Sequence, residues 1–290
     1  MDDCLRQLLD RGVEVQHEVS ARRLSTFGAG GMVANLVLPK DETQLSDAMR
    51  ILQSTRYHVL GGGSNTLISD FGLQWVVCLR AFVGATVDGN VLTACCGEPL
   101  PALSKLAFEH GLGGLEFASG IPALAGGALR MNAGAYGQDM AAIVDGAYLV
   151  DHTGGQWVSK EALHLRYRAS TFSGVAAKVR FVLTPSDPVA IQAKMEDMRL
   201  QRGRHQPHQP SLGCVFKASG ATPAAKYIEA CGLKGTRLGQ AQVSGVHCNF
   251  IVNMGGATAR DYLRLADKVR SAVYERYGVL LEQEFVHLHD

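Results

Sequence analysis

The sequence predicts an α+β protein. Strand-like and helix-like segments intermix along all 290 residues, and helices are too sparse in the first half to cover both faces of a doubly wound sheet. No internal repeat or low-complexity tract interrupts the pattern, which leaves no case for a solenoid or a disordered chain.

The elements follow in order. After a short N-terminal segment, Leu45, Ala48, Met49 and Leu52 recur at helical spacing, so 41–56 reads as an amphipathic helix. A short strand over 57–60 runs into Gly61-Gly62-Gly63-Ser64-Asn65. A further strand, 75–82, precedes a hairpin turned by Asp88-Gly89-Asn90. The segment 99–110 reads as a second helix, with proline near its first turn and Gly111 just past its end. From Gly111 to Gly137 eight glycines and few charges occur in no clear period, which reads as a long functional loop. Strands resume at 146–150 and 156–159, joined by a Gly-Gly turn, and at 178–184. Asp187-Pro188 offers an N-cap and first-turn proline for a helix to about Arg202. The polar run 201–209 reads as a linker. Beyond it lie a helix near 222–231, a strand at 247–253 and a long helix over 258–277, where Tyr262, Ala266, Val269 and Val273 share a face.

Composition bounds the function. At 47% hydrophobic and 19% charged residues the chain is ordinary and globular, and long enough for two domains with real cores. A formal net charge of +1 without a long basic stretch argues against a nucleic-acid partner. Seven cysteines without a CxxC pair argue against a zinc site or a thioredoxin-like motif, and suit reduced thiols in a cytosol. The first twenty residues carry charges throughout and lack a signal-peptide core, and no apolar run reaches membrane-span length. The expectation is a cytoplasmic protein with no membrane partner.

Two stretches could carry chemistry. In Gly61-Gly62-Gly63-Ser64-Asn65 the glycines let backbone N–H groups turn toward an anion, while Ser64 and Asn65 add side-chain donors. The loop matches neither a P-loop nor GxGxxG, so phosphate binding competes with a plain tight turn. The second stretch holds Ser119-Gly120-Ile121-Pro122, Gly126-Gly127 and Asn132-Ala133-Gly134-Ala135-Tyr136-Gly137. Small residues there could wrap a large flat cofactor, or form a glycine-rich surface loop.

Read in order, these blocks resemble the UDP-N-acetylenolpyruvoylglucosamine reductase family. The resemblance starts at Ser25-Thr26-Phe27-Gly28 and passes through both glycine-rich stretches and Gly114-Leu115-Glu116. It continues at Tyr167-Arg168-Ala169-Ser170-Thr171-Phe172, Gly213-Cys214-Val215-Phe216-Lys217 and Gly232-Leu233-Lys234-Gly235. Val243-Ser244 with His247 and Asn249-Phe250 follow, and Glu282-Gln283-Glu284 ends it. It covers about residues 20–286. The chain lacks the extra loop of the longer subclass and is similar to the shorter one.

The resemblance implies a FAD-binding region of the vanillyl-alcohol-oxidase (PCMH) type over 1–200, built of two α+β lobes. A substrate-binding domain over 201–278 and a C-terminal segment, 279–290, returning to the flavin would follow. FAD would be held non-covalently, with Gly61–Asn65 on its pyrophosphate. Ser119, Gly120, Ile121, Pro122, Gly126, Gly127, Ala133, Gly134, Tyr136 and Gly137 would line the remainder. NADPH would supply hydride and UDP-N-acetylglucosamine enolpyruvate would accept it, in a monomer serving cell-wall precursor synthesis. Arg168 would stabilise the developing enolate, Cys214 would donate the proton and Glu284 would polarise the site, with Tyr167, Lys217 and Asn249 contacting substrate. Glu282 is the alternative to Glu284.

Cys214 stands where most of the family has serine. A thiol with an ordinary pKa near ~8.5 is mostly protonated at neutral pH and a stronger acid than a hydroxyl, so the exchange keeps the proton-donor chemistry. Two further departures bear on the reading. Ala218-Ser219 replaces the usual Asn-Pro, which puts a substrate contact in question, and Ala123 replaces a glycine near the cofactor. Another FAD-dependent oxidoreductase on the same scaffold, a catalytically silent nucleotide-binding paralogue, and a plain α+β binding module remain the competing readings.

Overall fold

The computed structural model describes residues 3–290; Met1 and Asp2, which open the charged N-terminal segment, lie outside the described residues. The chain forms two compact units, each drawn from separated stretches. One comprises residues up to His17, Asn35–Gly62 and Trp75–Arg202, the other Glu18–Ala34, Gly63–Gln74 and Gly203–Asp290.

The first unit is built on a five-stranded antiparallel sheet. Its order is Gly154–Ser159, Val144–Asp151, Val175–Val182, Val91–Cys95, Ala85–Asp88. The predicted hairpin closes with Asp88 opposite Val91, and Gly89 takes φ +58° as its turn demands. The other hairpin turns on His152-Thr153 rather than on Gly154-Gly155, which open the returning strand. Asp151 accepts from both the N–H and the hydroxyl of Thr153, a side-chain-stabilised turn that needs no glycine.

Helices cover this unit. Leu100–Glu109 packs with Leu92, Phe117, Leu129 and Phe181 in one apolar core, and Gly111 at φ +65° ends it as expected. Glu42–Leu52 starts where Asp41 accepts the N–H of Gln44, and buries Leu45, Ala48, Met49 and Leu52 against Trp75 and Val77 in a second core. It stops four residues short of the length predicted. The short strand His58–Leu60 pairs in parallel with Val76–Cys78, which aims the chain into Gly61.

The stretch 111–137 is not one structureless loop. It contains the helix Ala125–Arg130, hidden in the sequence by Gly126-Gly127. Glycine weakens helices, but here it permits contact: a Cβ on Gly126 would come within 2.8 Å of Cys96 Cβ and 3.1 Å of the Ala176 carbonyl. The helix beginning at Pro188 runs to His205, so it takes in part of the supposed linker, and Ile191 is its buried residue.

The second unit carries a four-stranded antiparallel sheet, ordered Ser211–Cys214, Phe250–Asn253, Ala241–Val243, Arg237–Leu238. A parallel pair joins Val286–Leu288 to Thr66–Ile68. The long helix Ala259–Tyr277 opens with a reciprocal cap between Thr258 and Asp261. Asp70 adds its two carboxylate oxygens to the N–H groups of Ala259 and Arg260, both at 2.9 Å. The helix buries the predicted face of Tyr262, Ala266, Val269 and Val273 among Phe27, Leu212, Phe216, Ile251 and Phe285. At about 1.5–3 kcal/mol for each large apolar side chain, this face is the main attachment of the helix.

Candidate active site

In the first unit the two glycine-rich stretches meet. A Cβ on Gly61 would lie 3.6 Å from Gly127 Cα, and one on Gly62 would lie 3.3 Å from Leu124 Cγ and 3.7 Å from the Pro122 carbonyl. Backbone therefore faces backbone, with no side chain from Gly61, Gly62 or Gly127 filling the gap. On its outer side Gly127 meets nothing within 4 Å. Arg80 donates to the Gly62 carbonyl at 2.9 Å, which fixes the peptide. Among the described residues the N–H groups of Gly61 and Gly62 reach no protein acceptor. N–H donors left without a protein acceptor among glycines suit an anionic cofactor, and FAD carries a pyrophosphate.

The rest of the predicted cofactor stretch is locally braced. Ser119 donates its hydroxyl to the Glu116 carbonyl at 2.8 Å, and the buried Glu116 carboxylate accepts the Gly114 N–H at 2.7 Å. Gly134 faces Gln138 and Asp139 so closely that a Cβ would meet the Gln138 carbonyl at 2.4 Å. Asn132 and Tyr136 hold positive φ, and the Tyr136 hydroxyl donates to the Met198 carbonyl at 2.8 Å. Ala133 N–H donates to the Ala128 carbonyl, tying the stretch to the short helix.

Arg168 belongs to this constellation. Its backbone takes φ +52° in a tight turn closed by Arg166 and Ala169, a conformation costing about 1–3 kcal/mol for a non-glycine residue. The turn brings its guanidinium to the carbonyls of Gly134, at 2.7 Å, and Asn132, at 3.5 Å, while Tyr167 lies beside it half-exposed. Asn132 is a residue the sequence reading left out of the site. Buried at 2% exposure, it donates to Arg166 O and Asp139 and accepts from Ala141 N–H, so it holds the arginine turn against the cofactor stretch. Arg130 was also missed. It donates to Phe172 O at 2.5 Å, and Ser170 donates back to Arg130 O at 2.7 Å. Neither residue type marks such a role locally; only the partners, 34 to 42 residues away, reveal it.

In the second unit, Gly63 sits at φ +70° with its α-carbon turned onto Leu24, where any Cβ would overlap the carbonyl oxygen. Thr26 donates its N–H to Gly63 O and its hydroxyl to Ser211 O, so the quoted Ser25-Thr26 block supports the loop. Among the described residues Ser64 N–H also reaches no protein acceptor. Asn65 donates to the Glu284 carbonyl at 3.1 Å and accepts the Val286 N–H at 2.9 Å.

That contact belongs to a larger pairing. Glu284 N–H donates to Val215 O at 2.9 Å, Lys217 N–H donates to Glu282 O at 2.8 Å, and Phe216 bridges Gln283. The segment 214–217 is thus aligned with 282–284, placing partly exposed Cys214 and Glu284 on adjacent segments. Lys217 pairs with Glu282 at 2.6 Å, an ion pair whose glutamate is largely exposed and which is worth at most about 1 kcal/mol. Asn249 takes the Phe216 N–H on its oxygen at 3.1 Å and donates to Phe216 O at 2.8 Å. Its amide therefore clamps the Cys214–Lys217 strand. No helix of the described residues is long and apolar enough to cross a membrane.

The fold and the glycine cradle define a FAD-dependent oxidoreductase with a PCMH-type cofactor region. A family model described as FAD binding domain matches 33–159, and one described as UDP-N-acetylenolpyruvoylglucosamine reductase, C-terminal domain, matches 206–288. The chain is 38% identical to UDP-N-acetylenolpyruvoylglucosamine reductase 2 of Symbiobacterium thermophilum over 98% of its length and 95% of that protein. It is 40% identical to the reductase of Geobacillus thermodenitrificans, over 88% of the chain and 86% of that protein. The crystal structure of the reductase from Thermus caldophilus superposes with a TM-score of 0.83 at 32% identity, covering 96% of this chain and all of that one. Berberine bridge enzyme from Eschscholzia californica, at 18% identity and a TM-score of 0.50 over 64% of this chain and 44% of its own, shares the fold alone. The chain belongs to the UDP-N-acetylenolpyruvoylglucosamine reductase family.

Proposed function

We propose that the protein reduces the enolpyruvyl group of UDP-N-acetylglucosamine enolpyruvate to the lactyl ether of UDP-N-acetylmuramate, with NADPH as donor, for cell-wall precursor synthesis. FAD, when bound, supplies the hydride relay between donor and double bond. The Gly61–Ser64 N–H groups would hold its pyrophosphate, and the stretch from Ser119 to Gly137 its remainder. Hydride addition leaves negative charge on the carbon bearing the carboxylate. Arg168 would bind that carboxylate and spread the charge, which a permanently protonated, bidentate guanidinium does well. Cys214 would deliver a proton to the same carbon, Glu284 would polarise the site, and Lys217 would exchange Glu282 for a substrate phosphate. Tyr167 would lie along the sugar nucleotide, and Asn249 would act through the strand it clamps.

The observation that most supports this reading is the pairing of 214–217 with 282–284, which brings the segments carrying Cys214 and Glu284 together although 70 residues separate the two. The test is an anaerobic visible spectrum of the holoprotein. The flavin band should bleach with NADPH and return only with UDP-N-acetylglucosamine enolpyruvate. A band that bleaches but is not restored by that compound would leave the cofactor right and the substrate wrong.

A further inference from the structure

In the first unit, the guanidinium of Arg168 and the turn that carries it are held from a single residue. Arg166 and Ala169 exchange N–H···O bonds at 2.9 and 3.2 Å, and the turn they close puts Arg168 at φ +52°. The side-chain amide of Asn132 donates to the Arg166 carbonyl at 3.0 Å and so grips the base of that turn. At the far end the guanidinium donates to the Asn132 carbonyl at 3.5 Å and to the Gly134 carbonyl at 2.7 Å. Gly134 pairs with Asp139, whose carboxylate accepts from the same Asn132 amide at 3.1 Å. The circuit of contacts starts and ends on Asn132. The amide oxygen is also in use, accepting the Ala141 N–H at 2.9 Å. At 2% exposure, a donation lost here leaves its acceptor without water to replace it. The φ of +40° is one that asparagine tolerates better than most residues. Aspartate has nearly the same shape, but when ionised it only accepts. It keeps the Ala141 bond, loses both donations and faces the Asp139 carboxylate.

We propose that Asn132 is a positioning residue for Arg168, with Asp139 orienting its amide. This role rests on the reading of Arg168 as the group that binds the substrate carboxylate. One Asp139 oxygen accepts the Ala142 N–H at 3.3 Å and the other holds the Asn132 amide, which fixes the end of the amide that faces Arg166. A guanidinium tied to two carbonyls on a strained turn has few orientations left. Misplacing a catalytic group by about 1 Å can cost ~10²-fold in rate, so the anchor of that turn matters to the chemistry. In this role Asn132 acts through the arginine alone.

The test is a double-mutant cycle on FAD-loaded protein: wild type, Asn132→Asp, Arg168→Met and the two together, each followed through both flavin half-reactions. Asn132→Asp should slow reoxidation by the enolpyruvyl substrate about tenfold more than it slows bleaching by NADPH. That excess should vanish in the Arg168→Met background, where no guanidinium is left to place. The same excess in both backgrounds, or none in the wild-type background, overturns the proposal. A second readout needs no turnover. Phenylglyoxal modification of Arg168, followed on its own peptide by mass spectrometry, should run several times faster in Asn132→Asp, and an unchanged rate overturns the proposal as well. If Arg168→Met reoxidises at the wild-type rate, the mechanistic reading of Arg168 fails, and the phenylglyoxal rate alone decides whether Asn132 places it. If Asn132→Asp does not fold or hold FAD, Asp139→Asn takes its place in the same comparisons. Its amide can accept from Ala142 or from Asn132 but not from both, so the same shifts are expected at smaller size.

Discussion

At the scale of single residues, the chemistry of a side chain was legible in the sequence and its partners were not. Arg168 could be singled out because its block resembles a known one. That it occupies a left-handed backbone conformation and reaches Gly134 follows from a turn and a stretch 34 residues apart. Asn249 shows the other side of the same limit. An amide suits a substrate, but here both its ends hold the backbone of Phe216. The strain at Arg168 suggests how it acts: the fold gives up about 1–3 kcal/mol to aim one guanidinium. Arg168→Met should retain FAD and the first half-reaction, because the Gly62 peptide of the cradle is fixed by Arg80. Reoxidation by the enolpyruvyl substrate should slow by about 10²-fold or more, as when one charge-stabilising donor is removed from a developing anion. Rapid-mixing absorbance would measure it, and an unaltered reoxidation rate would remove Arg168 from the mechanism.

At the scale of elements, periodicity and caps located most helices and strands, because these signals are local. Asp41 with Gln44, and Thr258 with Asp261, can be read three residues apart. The helix Ala125–Arg130 escaped because its two glycines serve tertiary contact and erase the helical pattern. The cap from Asp70 escaped for a different reason: it lies 189 residues from the N–H it accepts. That cap should matter. Two N–H groups at the start of Ala259–Tyr277 depend on one carboxylate, which also opposes the positive end of the helix dipole. Asp70→Ala should lower the stability of the unit by about 1–2 kcal/mol in urea unfolding, with Asp70→Asn recovering part of it. A change of only a few tenths would mean that the Thr258–Asp261 box caps the helix alone.

At the scale of the whole molecule, each unit has its own core and neither is a continuous piece of chain. The grouping of 18–34 and 63–74 with 203–290 leaves no local mark, since pairings such as Thr66 with Val286 span 220 residues. What a linear reading could recover was the order of short blocks, and those blocks turn out to be where distant backbone must come close. Gly61 against Gly127 is the plainest case, and it can be tested through the stability of the molecule. Gly127 has open space on its outer side, so Gly127→Leu should fold as well as wild type or better, gaining up to about 1 kcal/mol of helix propensity. If that space is the FAD cleft, the leucine fills it. FAD at about a hundred times its Kd stabilises a protein that binds it by about 2.7 kcal/mol, seen as a rise in Tm. Wild type should show that rise and Gly127→Leu should lose most of it while its apoprotein melts no lower. An equal FAD-dependent rise in both proteins would put the cofactor somewhere other than against Gly127, and a lower apoprotein Tm would show that the glycine is needed for folding.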